Sequence, residues 1–264
     1  MACEATGGYE RALMRVAAKL DLPLRRVHPN RAHAFGRASV QLAKSDPLDA
    51  QTLRKLAAFT VNEPPTPLPS AQTPKLAAMV SRLIQLTDLR QAESCRAQQA
   101  DDAQVKASIK AMIKALDAQM EAMQESIDAF IAKIPALAQN ARLMRTCKGL
   151  GPKTTQAVLA LLPEIGTLNR RKIAAIVGVD LITNKSGSSI DSAKIQGGRK
   201  PLRDIVFMAA LSAKTHNPTF KAVYERLRAK GNPHKLALVA VMRKIITTLN
   251  AIAKSGQPFR NSLI

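Results

Sequence analysis

Between Lys75 and Ile134 the chain contains neither glycine nor proline, and apolar residues recur at Val105, Ile109, Met112, Leu116, Met120, Met123, Ile127, Phe130 and Ile134. Steps of three or four keep these side chains on one face of a helix, a period no strand shares. Leu76, Val80, Leu83 and Leu86 carry the pattern upstream. The spacing predicts two long helices that break or bend around Arg96 to Asp102. They pair as an antiparallel hairpin or as an intermolecular coiled coil. The methionines belong in the apolar seam, where an unbranched thioether fills irregular gaps.

On its N-terminal side this stretch meets a run, Glu63 to Pro74, with prolines at 64, 65, 67, 69 and 74. A segment so poor in backbone donors is a stiff, extended connector rather than a helix, and it marks the first domain boundary. The 264 residues, 46% hydrophobic, can build a real core in one large domain or two modest ones. The expected organisation is an N-terminal domain at 1–62, a linker at 63–74, the helical hairpin at 75–134 and a basic helical domain at 135–264. The N-terminal segment reads as strand (Ala2 to Glu4), helix (Tyr9 to Leu20), strand (Leu22 to Pro29), helix (Asn30 to Leu42) and helix from Asp46. That order suggests an α/β unit with parallel strands, so the fold class is mainly α with a partial α/β N-terminal unit. After Pro135, helices are predicted at 137–146, 152–162, 170–177, 200–216, 218–230 and 233–255. The polar stretch Thr183 to Gly198 carries neither a helix nor a strand period and reads as a loop.

Forty Lys and Arg against nineteen Asp and Glu give a net charge of +21. The surplus is uneven, since residues 141–264 hold 22 basic and 5 acidic side chains against 18 and 14 in residues 1–140. The C-terminal half therefore carries the polyanion-binding character, and nucleic acid fits it better than membrane because no strongly hydrophobic face is left over for lipid. With aromatics at 3%, contact to phosphate is expected over base stacking. No basic-then-apolar leader opens the chain, which reads as cytoplasmic, in contact with the nucleoid. Cys3, Cys95 and Cys147 stand apart with no CxxC pair, and reduced, mostly buried thiols are expected.

Three constellations could carry chemistry. Asp46 and Asp49, three residues apart in Ala43-Lys44-Ser45-Asp46-Pro47-Leu48-Asp49-Ala50, share one helix face and could hold a divalent metal. The alternative is a helix start, with Asp46 as N-cap, Pro47 in the first turn and both charges favoured by the dipole. Thr146-Cys147-Lys148-Gly149-Leu150-Gly151-Pro152-Lys153-Thr154 resembles the hairpin of a helix-hairpin-helix element, whose glycine turn and following helix N-terminus grip a phosphate; an ordinary Gly-Pro helix junction would look the same. In Asn184-Lys185-Ser186-Gly187-Ser188-Ser189, the hydroxyl of Ser186 lies on a glycine-flanked loop near Lys194, Arg199, Lys200 and Arg203. A serine attacking phosphate needs such cations, although most Ser-Gly loops are merely flexible. His216-Asn217-Pro218 reads as a helix stop and start, and His28, His33 and His234 have no metal-ligand spacing.

Together these pieces resemble the DEDD-type transposases of bacterial insertion sequences, whose catalytic domain is similar to that of Holliday-junction resolvases of the RNase H fold. The matching residues are Glu4-Ala5-Thr6-Gly7-Gly8-Tyr9-Glu10, then Ala43 to Ala50, then Gly149-Leu150-Gly151-Pro152-Lys153-Thr154, Ser186-Gly187, Gln196-Gly197-Gly198-Arg199, Met208-Ala209-Ala210-Leu211 and His216-Asn217-Pro218. The resemblance implies that Glu4, Asp46 and Asp49 are three of four carboxylates binding Mg²⁺, and that Ser186 is a nucleophile forming a covalent link to DNA. It implies DNA contact through Lys148, Gly149, Gly151, Lys153, Lys194, Arg199, Lys200 and Arg203. It also implies a structured guide RNA that chooses sequence by base pairing, and assembly of copies through the helical hairpin. Two departures accompany it. Lys185 stands where an acidic residue is common, and the family's first Asp belongs on a strand some tens of residues ahead of Glu4, so an N-terminally truncated RNase H-like domain with two exposed strand remnants is expected. The rival readings are a nucleic-acid-binding remnant without catalysis and a metal-dependent, resolvase-like nuclease that uses water.

Overall fold

A computed structural model describes all residues except 6, 40–44, 64, 67–71, 183–184, 187–188, 191–193, 196 and 261–264, and gives the backbone alone at 11, 72–73, 181–182, 185–186, 189–190 and 194. The described residues are mainly helical, with eleven helices. They divide into two compact units, Met1–Ser70 and Ala71–Ile264.

The first unit contains β1 (Ala2–Glu4), α1 (Glu10–Lys19), β2 (Arg25–Val27), α2 (Pro29–Ala38) and α3 (Asp46–Phe59). The strands pair in parallel, Ala2 opposite Arg25 and Glu4 opposite Val27, so α1 is the crossover that parallel pairing requires. Alternation along the strands then sorts side chains between two layers. Cys3 packs with Met14 and Ala17 of α1, whereas Ala2 and Val27 pack with Ala32, Phe35, Leu53 and Leu56 of α2 and α3. Arg26 lies 3.8 Å from Glu10 of α1, and Arg25 donates to the Ala57 carbonyl in α3 at 2.7 Å. The two strands expected as exposed remnants thus cover each other. The outer edge of β2 is also met by Thr66, whose Oγ1 accepts from the Arg26 amide at 2.9 Å.

The second unit opens on α4 (Gln72–Gln99) and α5 (Ala103–Ala132), which pack together as a hairpin. The expected break falls at residues 100–102, where Asp102 caps α5 by accepting from the amides of Gln104 and Val105 at 2.8 and 2.9 Å. Only the base of the hairpin reaches the core. Leu76, Val80, Leu83, Ile127 and Ile131 are buried there, while Leu89, Val105 and Met112 near the tip are about half exposed. The seam expected to bury its methionines therefore leaves Met112 in solvent.

Six helices follow: α6 (Pro135–Arg145), α7 (Pro152–Leu161), α8 (Arg170–Val177), α9 (Lys200–His216), α10 (Pro218–Ala229) and α11 (His234–Ser255). Among these six the largest departure from the sequence boundaries is at the start of α6, two residues early, because Pro135 is accepted in a helix's first turn. Earlier in the chain α2 ends at Ala38 rather than Leu42, and α4 starts at Gln72, inside the stretch read as a linker. Long and apolar enough to cross a membrane, α11 is instead the central core helix, with Leu238, Val241, Met242, Ile245, Ile246 and Leu249 buried against neighbours that include α8, α9 and α10. The stretch read as a structureless loop carries a strand ladder. Leu181–Ile182 (β3) pairs with Lys194–Ile195 (β6), and Lys185–Ser186 (β4) with Ser189–Ile190 (β5), both antiparallel. No alternating apolar pattern marks it because each strand is two residues long, too short to show a period.

Candidate nucleic-acid interface and catalytic residues

The glycine turn between α6 and α7 is built by close approach. Gly149 has φ +86°, and a Cβ there would lie 2.7 Å from the Ala213 Cα of α9, so both its handedness and the lack of room demand glycine. Gly151 is the N-cap residue of α7 with open space around it, so neither argument applies there. The turn is pinned from a distance in sequence. Asn217, buried at the α9–α10 junction, donates from Nδ2 to the Lys148 carbonyl at 3.0 Å and accepts the Thr219 amide at 3.1 Å on Oδ1. The bland stop-and-start reading of His216-Asn217-Pro218 thus holds, since Asn217 caps α10, but it missed the second bond. Cys147 beneath the turn is fully buried, and that burial pushes its thiol up to about 12. Lys148 and Lys153 stay exposed on either side, and no side chain caps α7.

Ser186 ends β4, paired with Ser189 across the two-residue connection 187–188, which puts it at the tip of the ladder. Its side chain and that of Lys194 lie outside the described residues. At the foot of the ladder Gly197 and Gly198 have φ +70° and +75°, and a Cβ on Gly198 would lie 2.3 Å from the Gly178 amide that closes α8. Arg199 is spent inward: its fork meets Glu164 at 2.7 and 2.6 Å and the Leu161 carbonyl at 2.7 Å. Arg203 donates to the Gly197 carbonyl and Lys200 to Asp204 at 2.7 Å, the latter pair exposed. Of the eight interface positions expected, Lys148 and Lys153 are the exposed cations without an ion-pair partner among the described residues.

In the first unit, alternation puts Glu4 on the strand face against which α3 packs, and Asp46 and Asp49 occupy the first turn of that helix. The N-cap residue is Ser45, with φ −155° and ψ 155°, so the expectation that Asp46 caps the helix is corrected by one residue, and no side chain makes a cap bond. Extended backbone at Ser45 starts the helix at Asp46, which leaves that carboxylate exposed. Among the described residues no group of three His, Cys, Asp or Glu is placed to hold a metal ion. Glu4, Asp46 and Asp49 by themselves therefore do not close a set of Mg²⁺ ligands.

The second unit combines a cationic surplus, exposed lysines around a glycine turn and a serine at the end of β4, a combination suited to contact with nucleic-acid backbone. Residues 141–225, from α6 into α10, match the family model described as Transposase IS116/IS110/IS902 family. The chain is similar to the pilin gene-inverting proteins of Moraxella lacunata and Moraxella bovis, each 27% identical over 261 residues, covering 97% of this chain and 80% of the relative. It is also similar to the insertion element IS110 uncharacterized 43.6 kDa protein of Streptomyces coelicolor, 28% identical over 134 residues, 48% of this chain and 33% of that one. The likeness to the IS110/IS116/IS902 transposases thus lies in residues 141–225, and the likeness to the gene-inverting proteins runs along nearly the whole chain.

Proposed function

We propose that this chain is a DNA transposase or recombinase that cuts and rejoins strands, with Ser186 as nucleophile. The observation that carries it is the similarity along 97% of the chain to two proteins named for inverting a gene, joined to the transposase match over 141–225. In the step proposed, the Ser186 hydroxyl oxygen bonds to phosphorus, the bond from phosphorus to one sugar oxygen breaks, and that oxygen leaves with a proton. One phosphoester replaces another, so rejoining needs no outside energy source. Lys148 and Lys153 hold backbone phosphate beside the first-turn amides of α7, an arrangement that favours an anion. Glu4, Asp46 and Asp49 are proposed as the carboxylate side of a divalent-cation site; what supports this is that α3 packs on the sheet that carries Glu4. They need at least one further donor. A structured RNA would supply sequence choice, and copies would assemble through the half-exposed Leu89, Val105 and Met112 of the hairpin.

The test is strand exchange by the full chain on the DNA flanking its coding sequence, with RNA transcribed from that DNA. Exchange accompanied by a protein–DNA adduct that Ser186→Ala abolishes is the expected result. Cleavage without an adduct would give the chemistry to water, as in a resolvase-like nuclease. Binding without either would leave a nucleic-acid-binding protein.

A further inference from the structure

Helices α8, α10 and α11 line an open groove of about 1060 Å³. Six cations line it: Arg170 and Arg171 from α8, Arg226 from α10, Arg243 and Lys244 from α11, and Arg260 from the segment beyond it; no carboxylate does. The lining also holds the aliphatic Val179, Val223, Leu227, Val239 and Ile252, beside the polar Thr219, Thr247, Thr248, Ser255 and Gln257. Arg243 is paired with Asp180 at 3.1 Å, whereas Arg170, Arg171 and Arg226 have no side-chain ion-pair partner among the described residues. Arg170 and Arg171 also sit in the first turn of α8, where the helix dipole disfavours cations. Positive charge kept where it opposes helix stability points to an anion that the groove receives. The C-terminal segment that closes one end is anchored, since the Phe259 amide donates to Thr146 Oγ1 at 2.8 Å and its ring stacks on Phe220 at 6.1 Å.

We infer that this groove holds a single strand of DNA, its phosphates on the arginines and its bases against the aliphatic part of the lining. The chemistry separates the candidates. Phosphates spaced along one strand match cations spread over three elements, and unpaired bases have apolar faces that aliphatic side chains can cover. A duplex keeps its bases stacked inward and offers nothing to those side chains. The inference rests on the proposed function in one respect. A protein that cuts and rejoins DNA must keep a parted strand from diffusing away.

The test measures binding of the full chain to a labelled single strand of about 12 nucleotides, within the range one such groove spans, by fluorescence anisotropy across a salt series. Arg171→Glu and Arg226→Glu are each expected to weaken binding tenfold or more. Each should also flatten the slope of log affinity against log salt by about 0.7 for every phosphate the variant no longer neutralises. Lys110→Glu, the same charge change on exposed α5, is expected to stay within twofold, and melting curves establish that all three variants fold. Equal weakening in all three variants would reduce the effect to overall charge and overturn the inference. Tighter groove-dependent binding of duplex DNA, of RNA of the same sequence or of polyglutamate would overturn it too. The strand-exchange assay separates the two proposals. Exchange with unaltered strand binding in Arg226→Glu sinks the groove alone, and groove-dependent binding without any exchange sinks the recombinase reading alone.

Discussion

Replacing Asn217 by alanine removes two bonds to backbone partners, which serve different elements, and a weaker one from Nδ2 to the Cys147 Sγ at 3.8 Å. The Oδ1 acceptor caps α10 through the Thr219 amide at 3.1 Å, and the Nδ2 donor holds the Lys148 carbonyl of the glycine turn at 3.0 Å. Loss of an N-cap typically costs about 1 kcal/mol. A buried amide-to-carbonyl bond adds about 0.5–1.5 kcal/mol net. With Asn217 at 1% exposure, water does little to replace either partner. Asn217→Ala is therefore expected to lose about 2 kcal/mol, a fall in melting temperature of roughly 4–8 °C for a chain of this size. Asn217→Ser keeps a cap acceptor but has no arm to reach Lys148, and it should recover about half of the loss. Urea unfolding followed by helical circular dichroism gives both numbers, with an unchanged m-value showing that the denatured state is not responsible. Hydrogen exchange at 147–150 should quicken in both variants, because both release the turn. A loss below about 0.5 kcal/mol in Asn217→Ala, or a serine variant as stable as the parent with an unchanged turn, would refute the idea that this side chain clamps the turn.

Other sites give equally direct tests. Gly149→Ala meets the Ala213 Cα at 2.7 Å in a left-handed backbone, so it should lower the urea midpoint by more than the equivalent of about 2 kcal/mol; a neutral result would mean the turn does not rest on α9. In the native protein a thiol reagent should label Cys95 quickly, with Cys3 and Cys147 reacting only on unfolding. Because burial raises the Cys147 thiol from 9.0 to about 12, its contribution to stability is intact below pH 9 and lost as pH rises toward 12, which urea midpoints at about pH 8 and about pH 10.5 would register. Asp46→Asn should change stability by no more than about 0.5–1 kcal/mol, since only the dipole term is at stake. A melting point several degrees lower would restore Asp46 to a structural role.

Periodicity and punctuation by themselves determined the helices. The glycine- and proline-free run demanded two long helices, although the first starts at Gln72, inside the run read as an extended connector, and Asp102 sets where the second begins. Helices α8 and α9 start and stop where their caps and flanking residues say, because hydrogen bonds and caps within a helix depend on residues only a few places apart. The cationic surplus of the C-terminal half was equally plain, since charge adds without regard to fold. Which cations are spent was not legible: Arg199 looked like an interface residue until Glu164, thirty-five positions away, took its fork, and Arg170, Arg226 and Arg243 looked unremarkable until α8, α10 and α11 brought them around one groove. The strand ladder that carries Ser186 escaped notice because backbone pairing between short polar segments leaves no trace in side-chain pattern. Asp46 and Asp49 show the division most clearly. Their spacing placed both on one helix face, but whether they meet Glu4 depends on how a strand, a crossover and a third helix pack, and such contacts between residues far apart along the chain are set only when the tertiary structure forms.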